Sequence, residues 1–212
     1  MTQRGRFISI DGPSGVGKST AIKALHTELA CRGIAVHQTA EPTSSDLGRF
    51  IRSHFSHIRG HALACLVAAD RFAHVDHEIE PRLAAGDTVI TDRYVASSLV
   101  MQRLDGVPLP YLLALAGPVL MPDLAVILTA APGLIADRIA ARGPSNRFHR
   151  DPTAPGREVR LYEQAARALR SAGVPVLVVD TGTATPSEVA ATISGAIPDP
   201  ATTSPLSKPT IS

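Results

Sequence analysis

Gly12-Pro13-Ser14-Gly15-Val16-Gly17-Lys18-Ser19 has the spacing G-x-x-x-x-G-K-[ST], with Thr20 next in the chain. A glycine-rich bend lets successive backbone N–H groups turn toward one point and wrap an anion. A helix starting where the bend ends adds the positive end of its dipole. In this pattern Lys18 reaches the β- and γ-phosphates of a nucleoside triphosphate, and the Ser19 hydroxyl holds Mg²⁺. The bland alternative is a glycine turn with no ligand, and the flanking residues argue against it. Arg6-Phe7-Ile8-Ser9-Ile10 reads as a buried strand. Thr20 to Arg32 reads as a helix, with Ala21, Leu25 and Leu29 recurring every fourth residue. Gly12, Ser14, Gly15, Val16, Gly17, Lys18, Ser19 and Thr20 are therefore the expected cradle for ATP.

Other candidates lie beyond the loop. Asp92-Arg93 closes the apolar stretch Thr88-Val89-Ile90-Thr91. A carboxylate at a strand end beside a phosphate loop suits Mg²⁺, and a neighbouring arginine suits a phosphate. The plain reading of Asp92 is a turn cap. Asp70 and Arg71 interrupt an apolar helical run. Burying them unpaired is costly, so either they face solvent or Arg71 points into a cleft. His74 and His77 stand at i and i+3, but no third metal ligand has suitable spacing, and they read as a solvated face. Arg138 and Arg142 share a helix face, and Arg147 and Arg150 follow. Arginines closing over a triphosphate would supply charge at the transferring phosphoryl group; an ordinary basic surface is the simpler account.

Strands and helices must alternate to position these groups. Strand candidates are Phe7–Ile10, Ala35–Thr39, Thr88–Asp92, Leu124–Leu128 and Val174–Val179, each short and β-branched enough to be buried on both faces. The longest helical stretch runs from Ala62 to Ala85, with Pro81 near a kink. The alternation predicts an α/β fold, three layers deep, with about five parallel strands and helices on both faces. Ligands in such sheets gather at the carboxyl ends of the strands. The glycine loop, Glu41-Pro42 and Asp92-Arg93 all follow strands and should share one cleft. Residues 143–156 hold Arg147, Arg150 and three prolines without periodicity and read as a mobile basic lid. Residues 1–196 read as one domain, and the Pro/Ser/Thr-rich stretch 197–212 as a disordered tail.

Composition narrows the class. The chain has 212 residues, 44% of them hydrophobic, enough for one sizeable core. Net charge is +2, which offers no electrostatic support for nucleic acid or membrane binding. Lysine stands only at 18, 23 and 208, so one of three lysines falls in the glycine loop. Cys31 and Cys65 have no metal-type spacing and read as reduced thiols. With no signal-like N-terminus and no run of about 18 apolar residues, the expectation is a cytoplasmic protein.

Taken together, several stretches resemble the thymidylate kinase family. They are Ile10-Asp11-Gly12 to Thr20; Glu41-Pro42 with Leu47-Gly48 and Arg52; Ala68-Ala69-Asp70-Arg71; Asp92-Arg93-Tyr94-Val95-Ala96-Ser97-Ser98-Leu99 with Gln102; Pro122-Asp123-Leu124; and Arg142-Gly143 with Arg147-Phe148. The resemblance spans residues 6 to about 180, and the Asp92-Arg93-Tyr94 block is its most specific part. It implies transfer of the γ-phosphoryl group of ATP to dTMP, with Mg²⁺, in a homodimer. By resemblance, Arg93 and Arg52 hold the acceptor's phosphate, Arg71 reaches the pyrimidine, and Glu41-Pro42 shapes the pocket. Asp11, Val67, Ser97, Ser98, Met101 and Gln102 complete the acceptor side. Gly15 in the loop implies a catalytic arginine from the lid, Arg147 or Arg142, acting with Lys18, Asp92 and Arg93.

Three positions depart from that pattern. The family usually has an acidic residue where Ser14 stands, an aromatic where Val67 stands and tyrosine where Met101 stands. Those residues touch the sugar 3′-hydroxyl, stack on the base and pack on the deoxyribose. Two acceptor readings follow: dTMP, or a different nucleotide, nucleoside or hydroxylated small molecule. A GTPase would need N/T-K-x-D, which occurs at none of the three lysines. A catalytically silent ATP-binding regulator is the remaining rival.

Overall fold

The computed structural model describes residues 3–142, 151 and 153–198. Five strands form one parallel sheet: β1 (Phe7–Asp11), β2 (Val36–Ala40), β3 (Thr88–Asp92), β4 (Leu124–Thr129) and β5 (Val176–Asp180). Their order is β2-β3-β1-β4-β5. The central register pairs Ile8 with Ile90 and with Leu124. All five expected strands exist, each within two residues of its expected start. The expectation of burial on both faces holds for β1, β3 and β4 but not for β2 and β5, which are half-buried edge strands. A strand with one neighbour leaves one side to solvent, whatever its residues.

Alternation along the strands splits the core into two layers. Phe7, Val89, Ala125 and Ile127 face one side. There they meet α3 (Gly60–His74), α4 (Glu80–Ala84), α5 (Val95–Leu104), α6 (Leu109–Ala116) and α8 (Ala154–Ser171). Ile8, Ile10, Ile90, Val126 and Leu128 face the other, against α1 (Lys18–Cys31), α7 (Pro132–Arg142) and α9 (Pro186–Ala196). The short α2 (Asp46–His54) lies against α3. Cys31 and Cys65 are both exposed free thiols.

The long helical stretch is three pieces. A π turn, Val75–Ile79, separates α3 from α4, and Pro81 occupies the first turn of α4. Glu80 N–H bonds back to Val75 carbonyl, five residues away. Proline has no N–H and clashes with the carbonyl one turn back; widening the turn just before it relieves both problems. Helix α8 begins at Ala154, inside the stretch expected to be lid up to 156. The lid residues 143–150, with Arg147 and Arg150, and the tail from 199 onward lie outside the described residues.

Helix α2 meets the loop after β2 with no room to spare. A Cβ at Gly48 would stand 2.0 Å from Thr43 carbonyl oxygen and 2.6 Å from its nitrogen. Backbone cannot yield as a flexible side chain would. Gly48→Ala should therefore lower stability by about 1–3 kcal/mol through forced displacement of α2. Urea denaturation tests this, and a midpoint equal to that of the parent protein would contradict it.

Candidate active site

β1 ends and the glycine loop begins at the sheet's switch point, where β1 has β3 on one side and β4 on the other. Gly12 has φ of 149°, and a Cβ there would stand 2.6 Å from Leu128 carbonyl oxygen. Only glycine fits both constraints. Helix α1 then starts at Lys18, so its free N–H groups face the loop.

Asp11 links this loop to the next element. Its Oδ1 accepts Tyr94 N–H and Ser97 N–H, both at 2.9 Å, and so caps α5 from outside its own segment. Between β3 and α5 stands Arg93 with φ of 73°, the one non-glycine residue with positive φ among those described. Such a conformation costs about 1–3 kcal/mol and marks functional positions. The Arg93 charge acts on Lys18 of the glycine loop. Arg93 Nη1 lies 3.4 Å from Ser97 Oγ and 3.5 Å from Tyr162 Oη.

A hollow of about 320 Å³ is lined by Ser14, Gly15, Gly17, Lys18, Ser19, Thr20, Asp92, Arg93, Arg138 and Arg142. It joins most of the expected ATP residues to both ends of the expected chemistry. Lys18 Nζ donates to the Gly12 and Pro13 carbonyls at 2.8 and 2.9 Å. Burial, then the charge of Arg93, bring its pKa down to about 7, against the pull of Asp92, Asp11 and Glu158. Among the described residues, Asp92 Oδ1 is buried without a hydrogen-bond partner, and Asp92 shares the hollow with Ser19. Hard oxygen donors of this kind suit Mg²⁺ completed by phosphate oxygens. A neighbouring hollow of about 330 Å³ is lined by Val16, Gly17, Thr20, Ala21, Arg138, Thr181, Ala184, Pro186 and Val189. Thr181 Oγ1 donates to Val16 carbonyl at 2.7 Å and fixes that wall.

On the other side, Glu41 follows β2, and the Glu41–Pro42 peptide is cis. Arg71 Nε and Nη2 donate to Glu41 Oε2 at 2.8 and 2.7 Å, and Nη2 also donates to Ser98 Oγ. Burial opposes the charge of Arg71, but Glu41 outweighs it and holds its pKa above the ordinary value. Asp70 accepts Thr43 N–H and Thr43 Oγ1–H and pins the loop after β2. Neither residue faces solvent, so the pairing, not exposure, resolves the buried charges. The solvated-face reading of His74 and His77 fails for His74. It is buried, 3.3 Å from Glu41 Oε1, 2.8 Å from Thr39 Oγ1 and 3.6 Å from Glu78 Oε2. His77 is exposed, with its Nδ1 2.9 Å from Ala73 carbonyl oxygen. A helix with core on one side puts i and i+3 on related faces, but the π turn starting at Val75 rotates His77 outward.

The remaining acceptor candidates divide. Ser97 and Gln102 are buried on α5, while Val67, Ser98 and Met101 are half-exposed. Arg52 is exposed and donates to Pro42 carbonyl, away from the glycine loop's hollow. Two residues that the sequence reading missed complete the site. Glu158 Oε2 accepts Ser14 N–H at 3.1 Å, and Tyr162 Oη lies 3.1 Å from Ser97 Oγ. A signal existed: Glu158 falls on the same α8 stripe as buried Tyr162, Ala165, Ala166 and Leu169.

The thymidylate kinase family model matches residues 10–182, which include the glycine loop, Glu41, Arg71, Asp92, Arg93, Glu158 and Tyr162. This chain belongs to the thymidylate kinase family. It is similar to a probable thymidylate kinase of Pyrobaculum calidifontis, 38% identical over 81% of this chain and 86% of that protein. A probable thymidylate kinase of Caldivirga maquilingensis is 38% identical over 68% of this chain and 73% of its own. A thymidylate kinase of Clavibacter sepedonicus is 42% identical over 58% and 63%. Membership makes the chain a phosphotransferase of the nucleoside monophosphate kinase class.

Two measurements probe this electrostatic arrangement. With its pKa near 7, Lys18 is largely neutral above that pH in the free protein, and a bound triphosphate restores its charge. Binding of Mg·ATP should then take up a proton between pH 7 and 9, with Kd rising up to about tenfold per pH unit. Titration calorimetry in buffers of different ionisation enthalpy reads the uptake; none at pH 8 would refute it. Glu41→Gln strips the countercharge from Arg71 while leaving it buried. The expected loss is about 3–5 kcal/mol of stability, and a thermal midpoint unchanged in the variant would count against the pair.

Proposed function

We propose that the protein transfers the γ-phosphoryl group of ATP to the phosphate of dTMP, giving dTDP and ADP. The observation that carries this reading is the place of Arg93: it lines the same hollow as Lys18 and Ser19 but comes from the loop after β3 rather than from the glycine loop. One cation thus serves an acceptor phosphate while the loop serves the donor. The names of the relatives, thymidylate kinase, support the acceptor.

In this reading the adenine and ribose of ATP lie toward Arg138, Thr181 and Pro186, and the triphosphate threads the glycine loop. Lys18 leaves the Gly12 and Pro13 carbonyls for phosphate oxygens. Ser19 and Asp92 would hold Mg²⁺, which would neutralise charge on the triphosphate. Arg93 brings the dTMP phosphate in line, with Arg52 reaching it from α2. Arg71, oriented by Glu41 and Ser98, faces the pyrimidine edge. Arg142 and Arg147 supply charge around the transferring group. Little covalent chemistry is asked of the protein, because phosphoryl transfer depends on alignment and charge neutralisation. The reading extends to a cytoplasmic homodimer, as the resemblance implies. Phe72 on α3 and Leu113 on α6, both exposed apolar side chains, would suit such a contact.

The test is acceptor-dependent ADP release with Mg·ATP and a panel of dTMP, dUMP, UMP, CMP and thymidine. The expected result is release driven by dTMP; release driven only by another member transfers the assignment to that acceptor. Lys18→Ala should abolish turnover. Arg93→Ala should raise KM for dTMP by about tenfold or more while KM for ATP stays within about threefold. An equal loss for ATP would remove Arg93 from the acceptor side. Val67→Phe should improve kcat/KM for dTMP by about tenfold, since base–aromatic stacking contributes about 1–3 kcal/mol. No gain would mean that Val67 does not face the base.

A further inference from the structure

Helix α8 places two buried polar side chains, one turn apart, on opposite halves of the site. Glu158 and Tyr162 are each 2% exposed. The first accepts Ser14 N–H in the glycine loop; the second meets Ser97 and Arg93 on the acceptor wall. The geometry points to Glu158 as a positioning residue of the transfer: through Ser14 it ties the phosphate loop to the helix that carries Tyr162, and so to Arg93. This rests on the phosphoryl-transfer reading above.

Three observations carry it. A carboxylate buried to this degree is costly unless it is hydrogen-bonded and paired with opposite charge. Among the described residues its hydrogen bond comes from a loop amide, the Ser14 N–H. The charged groups that act on it are Lys18 and Arg93, from both halves of the site, and Arg157 on its own helix. Burial pushes its pKa up, and the Ser14 amide and those cations pull against the rise. Lys18 and Arg93 are drawn toward one another against their mutual repulsion, and a carboxylate in reach of both lowers the cost. Tyr162 adds the geometric half. Glu158 and Tyr162 sit at i and i+4, a fixed separation of about one helical pitch. A rigid helix touching the donor loop at one residue and the acceptor arginine at the next turn sets the distance between them. In-line transfer loses rate steeply when that distance is wrong by about 1 Å.

The experiment compares Glu158→Ala, Glu158→Gln, Tyr162→Phe and the Glu158→Ala/Tyr162→Phe double variant in the full chain. With Mg·ATP and dTMP, Glu158→Ala should lose about 10- to 100-fold in kcat, with both KM values within about threefold. Glu158→Gln keeps an oxygen for the amide without the charge and should recover part of that loss. The double variant should lose little more than the worse single variant, because both act through one helix. A kcat within twofold of the parent in Glu158→Ala, a rise in KM alone, or multiplicative losses in the double variant would each overturn the proposal. Amide exchange of residues 12–17 in the unliganded protein gives a readout free of catalysis: about tenfold faster in Glu158→Ala is expected, and no change refutes the tether. If Glu158→Ala does not fold, the same two readouts on Glu158→Gln decide. A parent protein that releases no ADP with any acceptor overturns the reaction reading, while the exchange result still judges the tether.

Discussion

The carboxylate of Asp11 joins the two halves of the site. It is buried at the last position of β1, and its Oδ1 takes two N–H groups from the start of α5. Those groups have no partner inside the helix, and the negative charge sits at the positive end of the helix dipole. Between the end of β3 and the start of α5 the chain has two residues, Arg93 and Tyr94, in which to reverse direction, and the turn falls on Arg93. It does so in the left-handed region, which costs energy and is held by what surrounds it. Removing the cap would free α5 to move, and with it Arg93, Ser97 and Ser98. The donor loop starts one residue after Asp11, so the same side chain gives both loops a common origin.

Around that origin the protein assembles cations that would repel one another in isolation. Lys18, Arg93, Arg138 and Arg142 line one hollow. Asp11, Asp92 and Glu158 hold the arrangement together at close range. Burial, and after it the charge of Arg93, still bring the pKa of Lys18 down to about 7. A phosphate chain entering this hollow brings the anionic charge that the side chains do not fully supply. Preorganised charge of this kind needs no rearrangement at the moment of transfer, which is why electrostatics contributes so much to such reactions. The pocket proposed for the acceptor differs in kind. Arg71 is already neutralised by Glu41, with His74 and Glu78 behind it. Such a pair can present hydrogen bonds to an uncharged base edge while keeping its net charge low.

Much of this was legible in the residues. The glycine loop announces itself because its chemistry is backbone chemistry, and only glycines at set spacing can perform it. The strands were legible because central parallel strands are apolar on both faces. Edge strands were harder to separate from central ones, since Val176–Asp180 is as apolar as Leu124–Thr129 although half-buried. Asp70 and Arg71 were recognisable as charges in an apolar helix, yet their partners, Thr43 and Glu41, lie about thirty residues away. His74 looked like one of a pair because helical spacing was assumed to continue, whereas the backbone widens at the next residue. Glu158 and Tyr162 were missed because a glutamate on a helix stripe has no chemical signature until its neighbour is known.

By itself the chain determined its alternating elements, the phosphate loop and the strand-end positions of Glu41, Asp92 and Arg93. Each follows from local rules: the period of side chains, the torsional freedom of glycine, the exit of a strand. Only the tertiary structure decided that Arg71 pairs with Glu41, that Asp11 caps α5, and that α8 brings Glu158 to the loop. These are contacts across thirty to about a hundred and fifty residues of chain. They depend on the order in which strands stack, and strand order is set by how the helices cover both faces rather than by any one segment.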